Sequence, residues 1–261
     1  MMGINWLASY PKSGNTWVRF LLYSVMHGPP AKSVDIARKI PDIHRPLPFD
    51  PPETGPMLAK THFACSPKHP KIDQSERAVL ITRDPRDVLF SALNYRRLSG
   101  LTAQQMSDEQ YARKFIAAGG DPVFLSLGYG TWRSHIESWQ SQTDFPVHTV
   151  RYEDLKADPS ANLSNILAFL GIEADDGAID GAVRASSFES MRAMEIREKH
   201  QGAKGGKAQT LFVGTEGARQ SGTYFMNTGG SGQTLTSISP ALERAFNDVF
   251  SGPMEAHGYR V

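Results

Sequence analysis

The chain has 261 residues, 28 of them Lys or Arg and 27 Asp or Glu, for a formal charge of +1. So even a balance gives no general reason to expect nucleic acid or a membrane as partner, and 40% hydrophobic with 21% charged residues is globular rather than disordered composition. The single cysteine, Cys65, excludes an intramolecular disulfide framework and a multi-cysteine metal site.

The N-terminal Met-Met-Gly-Ile-Asn-Trp has no basic segment followed by an apolar core, so no secretory signal is expected and a cytoplasmic protein is the default. Ile4 to Ser9 reads as a buried strand and Thr16 to His27 as the next helix, stopped by Gly28-Pro29-Pro30. The longest apolar run, Val18 to Met26, is broken by Arg19 and is too short to cross a bilayer. Met57 to Lys60 and Ala78 to Thr82 are further strands. After the latter, Asp84 is placed as N-cap, Pro85 as the first helical residue and Asp87 in the positive first turn. Leu125, Tyr129, Trp132, Ile136 and Trp139, spaced by 4, 3, 4 and 3, predict one helical stripe packed into the core. Val147 to Arg151 is a strand leading into a helix with Leu163, Ile166, Leu167 and Leu170 on one face. Leu242, Phe246, Val249 and Phe250 mark a C-terminal helix. Lys199 to Gln209 and Gly214 to Gly232 lack periodicity; a solvated loop and a mobile cover over a site, spanning about 199–232, both fit.

Strands alternating with helices predict an α/β fold: a single domain over 1–261 with a central, mostly parallel sheet flanked by helices. Ligands of such sheets bind beyond the carboxyl ends of the strands. Attention therefore falls on the loops after residues 9, 60, 82 and 151.

The first of these, Tyr10-Pro11-Lys12-Ser13-Gly14-Asn15-Thr16-Trp17, runs from a strand into a helix N-terminus, where free amides and the helix dipole favour an anion. Lys12 adds a charge, and the Ser13 and Thr16 hydroxyls add donors. The loop is P-loop-like without being a Walker A loop, which would need glycines where Trp6 and Pro11 stand. A second cationic element follows Thr82: Arg83 at the strand edge and Ser91 two turns into the next helix flank a phosphate-sized site. The histidines at 27, 44, 62, 69, 135, 148, 200 and 257 show no metal-binding spacing, so no metal is expected.

These segments resemble the cytosolic-type sulfotransferases, which use 3′-phosphoadenylyl sulfate (PAPS). Tyr10 to Trp17 is similar to that family's 5′-phosphosulfate loop, and Arg83-Asp-Pro-Arg-Asp-Val-Leu-Phe-Ser91 to its 3′-phosphate motif. Lys60-Thr-His62 resembles the segment of the catalytic His, and Tyr152-Glu-Asp-Leu-Lys156 a segment beside the adenine. Ala8 to Arg19, Lys60 to Phe63, Ala112 to Ala117 and Arg151 to Lys156 are most similar to bacterial enzymes that sulfate glycopeptide antibiotics.

The resemblance implies that Lys12 contacts the bridging oxygen and 5′-phosphate, with Ser13, Gly14, Asn15 and Thr16 around that phosphate and Trp17 stacked on adenine. It implies Arg83 and Ser91 at the 3′-phosphate, Tyr152 at the adenine, and Ser187 and Phe188 on the adenine side. Arg219-Gln220-Ser221-Gly222 is the candidate for a poorly matched C-terminal phosphate loop. His62 is the candidate general base. Lys60 either adds charge near the transferring group or pairs with a carboxylate. PAPS would be the co-substrate and 3′,5′-bisphosphoadenosine (PAP) the product, without a metal. The acceptor would be a small molecule, a natural product bearing a phenol or alcohol, with an amine left open; Phe63, Leu93, Tyr95 and Tyr129, with loop residues after 199, are candidate pocket walls. The animal relatives' short C-terminal dimerisation sequence is absent, so monomer and homodimer both remain open. A P-loop-like kinase and a non-catalytic PAPS or PAP binder are the rival readings.

Overall fold

All six residues of β1 (Ile4–Ser9) are buried, as expected of a strand covered on both faces. It lies inside a four-stranded, all-parallel sheet ordered β2 (Met57–Thr61), β1, β3 (Ser75–Thr82), β4 (Val147–Arg151). Pleating sends alternate side chains to opposite faces. Trp6, Ala8, Ala78 and Leu80 join one core with α3 (Pro85–Ser99), α4 (Asp108–Ala118), α6 (Trp132–Gln140) and α11 (Pro240–Ala256). Leu7, Val79 and Ile81 join a second with α1 (Asn15–His27), α8 (Pro159–Leu170) and α9 (Asp176–Ala185). This single α/β domain is built from described residues 3–45, 50, 52–99, 106–202, 210–212 and 222–261 of a computed structural model.

Register positions the site. Ala8 pairs with Thr61, Ser9 with Ile81 and Thr82 with Arg151, so the strands end almost level. The loops carrying Lys12, His62, Arg83 and Tyr152 all leave from that edge. Because the chain crosses from β1 to β2 on one side and on to β3 on the other, the crevice beyond β1 and β3 is the topological switch point.

Four sequence expectations change. The spacing from Leu125 to Trp139 is not one helix: α5 (Pro122–Ser126) and α6 are separate, with Tyr129 in the link. Gly128 and Gly130, at φ 83° and 80°, hold left-handed backbone that ends helix propagation. The first helix starts at Asn15 rather than Thr16. Val249 on α11 is 41% exposed while Leu242, Phe246 and Phe250 are buried. Lys199 belongs to α10 (Phe188–Gly202), ion-paired one turn back to Glu195 at 2.5 Å. Beyond the end of α10 the expected 199–232 cover is described only at 210–212 and 222–232; Arg219 lies outside the described residues. Among the described residues no helix is long and apolar enough to cross a membrane.

Candidate active site

The loop after β1 is shaped by two left-handed residues, Lys12 at φ 73° and Gly14 at φ 100°. A non-glycine residue there is strained, a cost that concentrates at functional sites. Gly14 is obligatory twice over, since a Cβ would sit 2.5 Å from Cδ2 of Tyr152. It is also the N-cap of α1 and offers no side-chain cap, so first-turn amides stay available to an anion. Ser13 is buried with its Oγ unpartnered among the described residues. The Lys12 ammonium rests against the rings of Phe225 (4.3 Å) and Tyr95 (4.6 Å). Burial first, then repulsion from Lys60 and Arg83, brings its pKa down to about 7. Asn15 turns inward, donating to Leu7 O (2.9 Å) and Ser9 Oγ (3.2 Å); its side chain braces the loop.

Arg83 is 7% exposed. It donates to Lys12 O (3.1 Å) and Gly230 O (2.7 Å), lies over the Tyr152 ring at 4.2 Å, and keeps a buried Nε unpartnered among the described residues. Asp84 caps α3 by accepting from Arg86 N, and the buried Asp87 accepts from Gly232 N and Gln233 N. The segment 224–233 is thereby fastened across the crevice. Glu195 anchors its other end, accepting from Phe225 N (2.6 Å) and Met226 N (2.8 Å).

His62 leaves β2 with Nδ1 2.7 Å from Ser9 O. A carbonyl only accepts, so the proton sits on Nδ1 and the lone pair on Nε2. Burial, with Lys60 adding repulsion, pushes His62 well below its ordinary pKa and keeps it neutral. The Lys60 charge is paired: its Nζ is 2.6 Å from Asp42. Burial works against the Asp42 carboxylate, but Lys60, by charge and by hydrogen bond, and Arg19 outweigh it and hold its pKa low. Asp42 also accepts from His44 N (3.0 Å), and His44 Nε2 receives the His62 amide at 2.7 Å.

One cavity of about 360 Å³, within the range of small-molecule sites, is lined by Lys12, Gly14, Asn15, Thr16, Trp17, Lys60, His62, Arg83, Ser91, Tyr152 and Phe188 together. Arg19 and Arg45 also line it, and Asp42 is its one lining acid among the described residues. A concave surface with that cation surplus suits a polyanion. Ser187 is not in the lining; it caps α10 through Ser190 N (3.1 Å). Tyr95 and Tyr129 line the cavity, whereas Phe63 and Leu93 pack in the core. Sequence reasoning missed Asp42 and His44; Phe225 to Gly229, within the segment expected to cover the site, line the cavity. Among the described residues no group of His, Cys, Asp or Glu is arranged to hold a metal ion.

Buried histidines have a cost at low pH. Burial brings His44, His69 and His135 each to about 4. Between about pH 6.5 and 4 the unfolded chain binds protons that these folded imidazoles refuse, so acid favours unfolding in that window. Thermal scans should show Tm falling as pH drops from 6.5 towards 4; a flat Tm would contradict the buried, neutral assignments.

A family model described as "Sulfotransferase domain" matches residues 5–258. The chain is 26% identical to sulfotransferase 1A1 of Canis lupus familiaris, over 97% of this chain and 83% of the relative. It is 22% identical to sulfotransferase 1C2 of Homo sapiens, over 95% of this chain and 82% of the relative. In fold it is similar to retinol dehydratase in complex with androsterone and inactive cofactor PAP (TM-score 0.72, 17% identity, 99% of this chain, 82% of that one). It is also similar to mouse sulfotransferase SULT7A1 complexed with PAP (TM-score 0.63, 21% identity, 97% of this chain, 84% of that one).

Proposed function

The chain belongs to the sulfotransferase domain family, and we propose that it moves a sulfuryl group from PAPS to a hydroxyl of a small molecule, with His62 as general base and Lys12 stabilising the leaving phosphate. The observation that carries this reading is the shared cavity: Lys12, Arg83 and His62 line one crevice with a surplus of cations. The residues suit the nucleotide. Ser13 Oγ and Arg83 Nε are buried polar atoms without partners among the described residues, and the uncapped start of α1 offers amides to a phosphate.

PAPS supplies the activated sulfuryl group. The loop from Lys12 to Thr16 would hold its 5′-phosphate end, Arg83 and Ser91 its 3′-phosphate, and Trp17, Tyr152 and Phe188 its adenine. Positioning and charge stabilisation then dominate, by analogy with phosphoryl transfer. His62 Nε2, aligned by its Nδ1–H bond to Ser9 O, takes the acceptor's proton, while Lys12 faces the charge that develops on the departing oxygen. Lys60 acts through its pair with Asp42, which accepts from His44 N, and His44 in turn accepts from the His62 amide.

The resemblance of residues 8–19, 60–63, 112–117 and 151–156 to bacterial glycopeptide sulfotransferases supports a natural-product phenol or alcohol as acceptor, in a cytoplasmic setting. A screen of metabolites with PAPS in EDTA, read by PAP release, should return an acceptor. Turnover of ATP that needs Mg²⁺, with none of PAPS, would overturn the proposal in favour of a kinase.

A further inference from the structure

His44 sits on the short segment bridged to β2 through Asp42 and Lys60, and its two ring nitrogens face different partners. Nε2 is 2.7 Å from the backbone N–H of His62, a group that only donates. That nitrogen therefore carries the lone pair, and the neutral ring has its proton on Nδ1. Nδ1 lies 3.1 Å from Tyr129 Oη, so this bond runs from Nδ1–H to the phenol oxygen. The Tyr129 hydrogen is left over. Its ring is 5.9 Å from that of His62, and both line the same cavity.

We infer that Tyr129 is a second contact for the acceptor atom: its O–H donates to the acceptor while His62 Nε2 takes the acceptor's proton, and this pair selects hydroxyls over amines. The inference rests on the sulfuryl-transfer reading. A hydroxyl oxygen has two lone pairs. One accepts from Tyr129, and the other forms the new bond to sulfur as the bond from sulfur to the bridging oxygen breaks. The electron pair of that broken bond stays on the 5′-phosphate, and the acceptor proton ends on His62. A neutral amine has one lone pair, and a hydrogen bond from Tyr129 would occupy the pair it needs for attack. His44 is a positioning residue, since it fixes which way the Tyr129 hydrogen points.

Tyr129→Phe removes the oxygen and keeps the ring. With PAP-saturated protein, 4-nitrophenol should bind the wild type about tenfold more tightly than Tyr129→Phe, the worth of one hydrogen bond. 4-Nitroaniline, whose nitrogen lone pair is delocalised into the nitroarene and accepts hydrogen bonds poorly, should bind both alike. Equal affinity of the two proteins for 4-nitrophenol, including no binding to either, would overturn the inference. Imidazole ¹⁵N spectra provide a second readout: His44 should carry its proton on Nδ1, and a proton on Nε2 would also overturn it. PAP affinity in the same samples separates the two levels. Failure of the wild type to bind PAP counts against sulfuryl transfer itself, whereas intact PAP binding without a Tyr129 effect counts only against this role.

Discussion

His62→Ala should lower turnover of the acceptor by about 10²–10⁴, the usual worth of a positioned general base, while leaving PAP affinity nearly unchanged. The reason is geometric. Nδ1 is committed to Ser9 O at 2.7 Å and to the Ser9 hydroxyl at 3.3 Å, so the ring is held at one orientation and only Nε2 remains to do chemistry. The donor side of the cavity is built by other residues, the loop after β1 and Arg83, so the nucleotide loses little when the imidazole goes. Because burial and Lys60 keep His62 neutral well below its ordinary pKa, kcat/KM for the acceptor should show no acid limb at the ordinary imidazole value of about 6.5. Normal turnover in His62→Ala would remove it as base.

The second large effect is expected at Lys12. Lys12→Met keeps a chain of similar length against Phe225 and Tyr95 but removes the charge beside the departing oxygen. Loss of one preorganised donor of this kind costs about 2.7–4 kcal/mol, or about 10²–10³ in kcat. Lys12 also brings a pH signature. Its pKa of about 7 reflects burial and its neighbours Lys60 and Arg83, and anionic phosphate relieves that repulsion and raises it again. Donor binding therefore favours the protonated lysine, and kcat/KM for PAPS should fall as pH rises above about 7. A flat alkaline profile in the wild type, or full activity in Lys12→Met, would contradict this placement.

Much of this site was legible because its residues follow directly on strand ends. Lys12, His62, Arg83 and Tyr152 each come one to three residues after a strand, and parallel register brings such positions to one edge whatever the loops do. Asp42 and His44 gave no such signal. They sit on a segment joined to β2 by one isolated bridge to Lys60, a pairing that no local pattern encodes. The stripe from Leu125 to Trp139 misled because spacings of 4 and 3 also arise when two helices and a glycine link bury one side against the same core. Tyr129 was visible as an aromatic, but its role depends on contacts with His44 and His62 from distant parts of the chain. The segment Phe225 to Gly230 could be read only as a loop or a cover, because glycine-rich backbone has no periodicity to say which residues face the site; carbonyls and amides fasten it. Ser187 shows the converse: a hydroxyl in a plausible motif that the fold spends on a helix start.

The most direct test of a shared anion-binding crevice is calorimetric titration of PAP, in EDTA at pH 8, repeated in buffers of different ionisation heat. Phosphate monoesters have a second pKa of about 6 and are fully ionised at that pH, so any proton taken up belongs to the protein. Wild-type protein should bind PAP with net proton uptake that disappears in Lys12→Met, and Arg83→Ala should bind far more weakly. PAP that fails to bind, or that binds with no proton uptake and is indifferent to Arg83, would contradict the arrangement on which the mechanism stands.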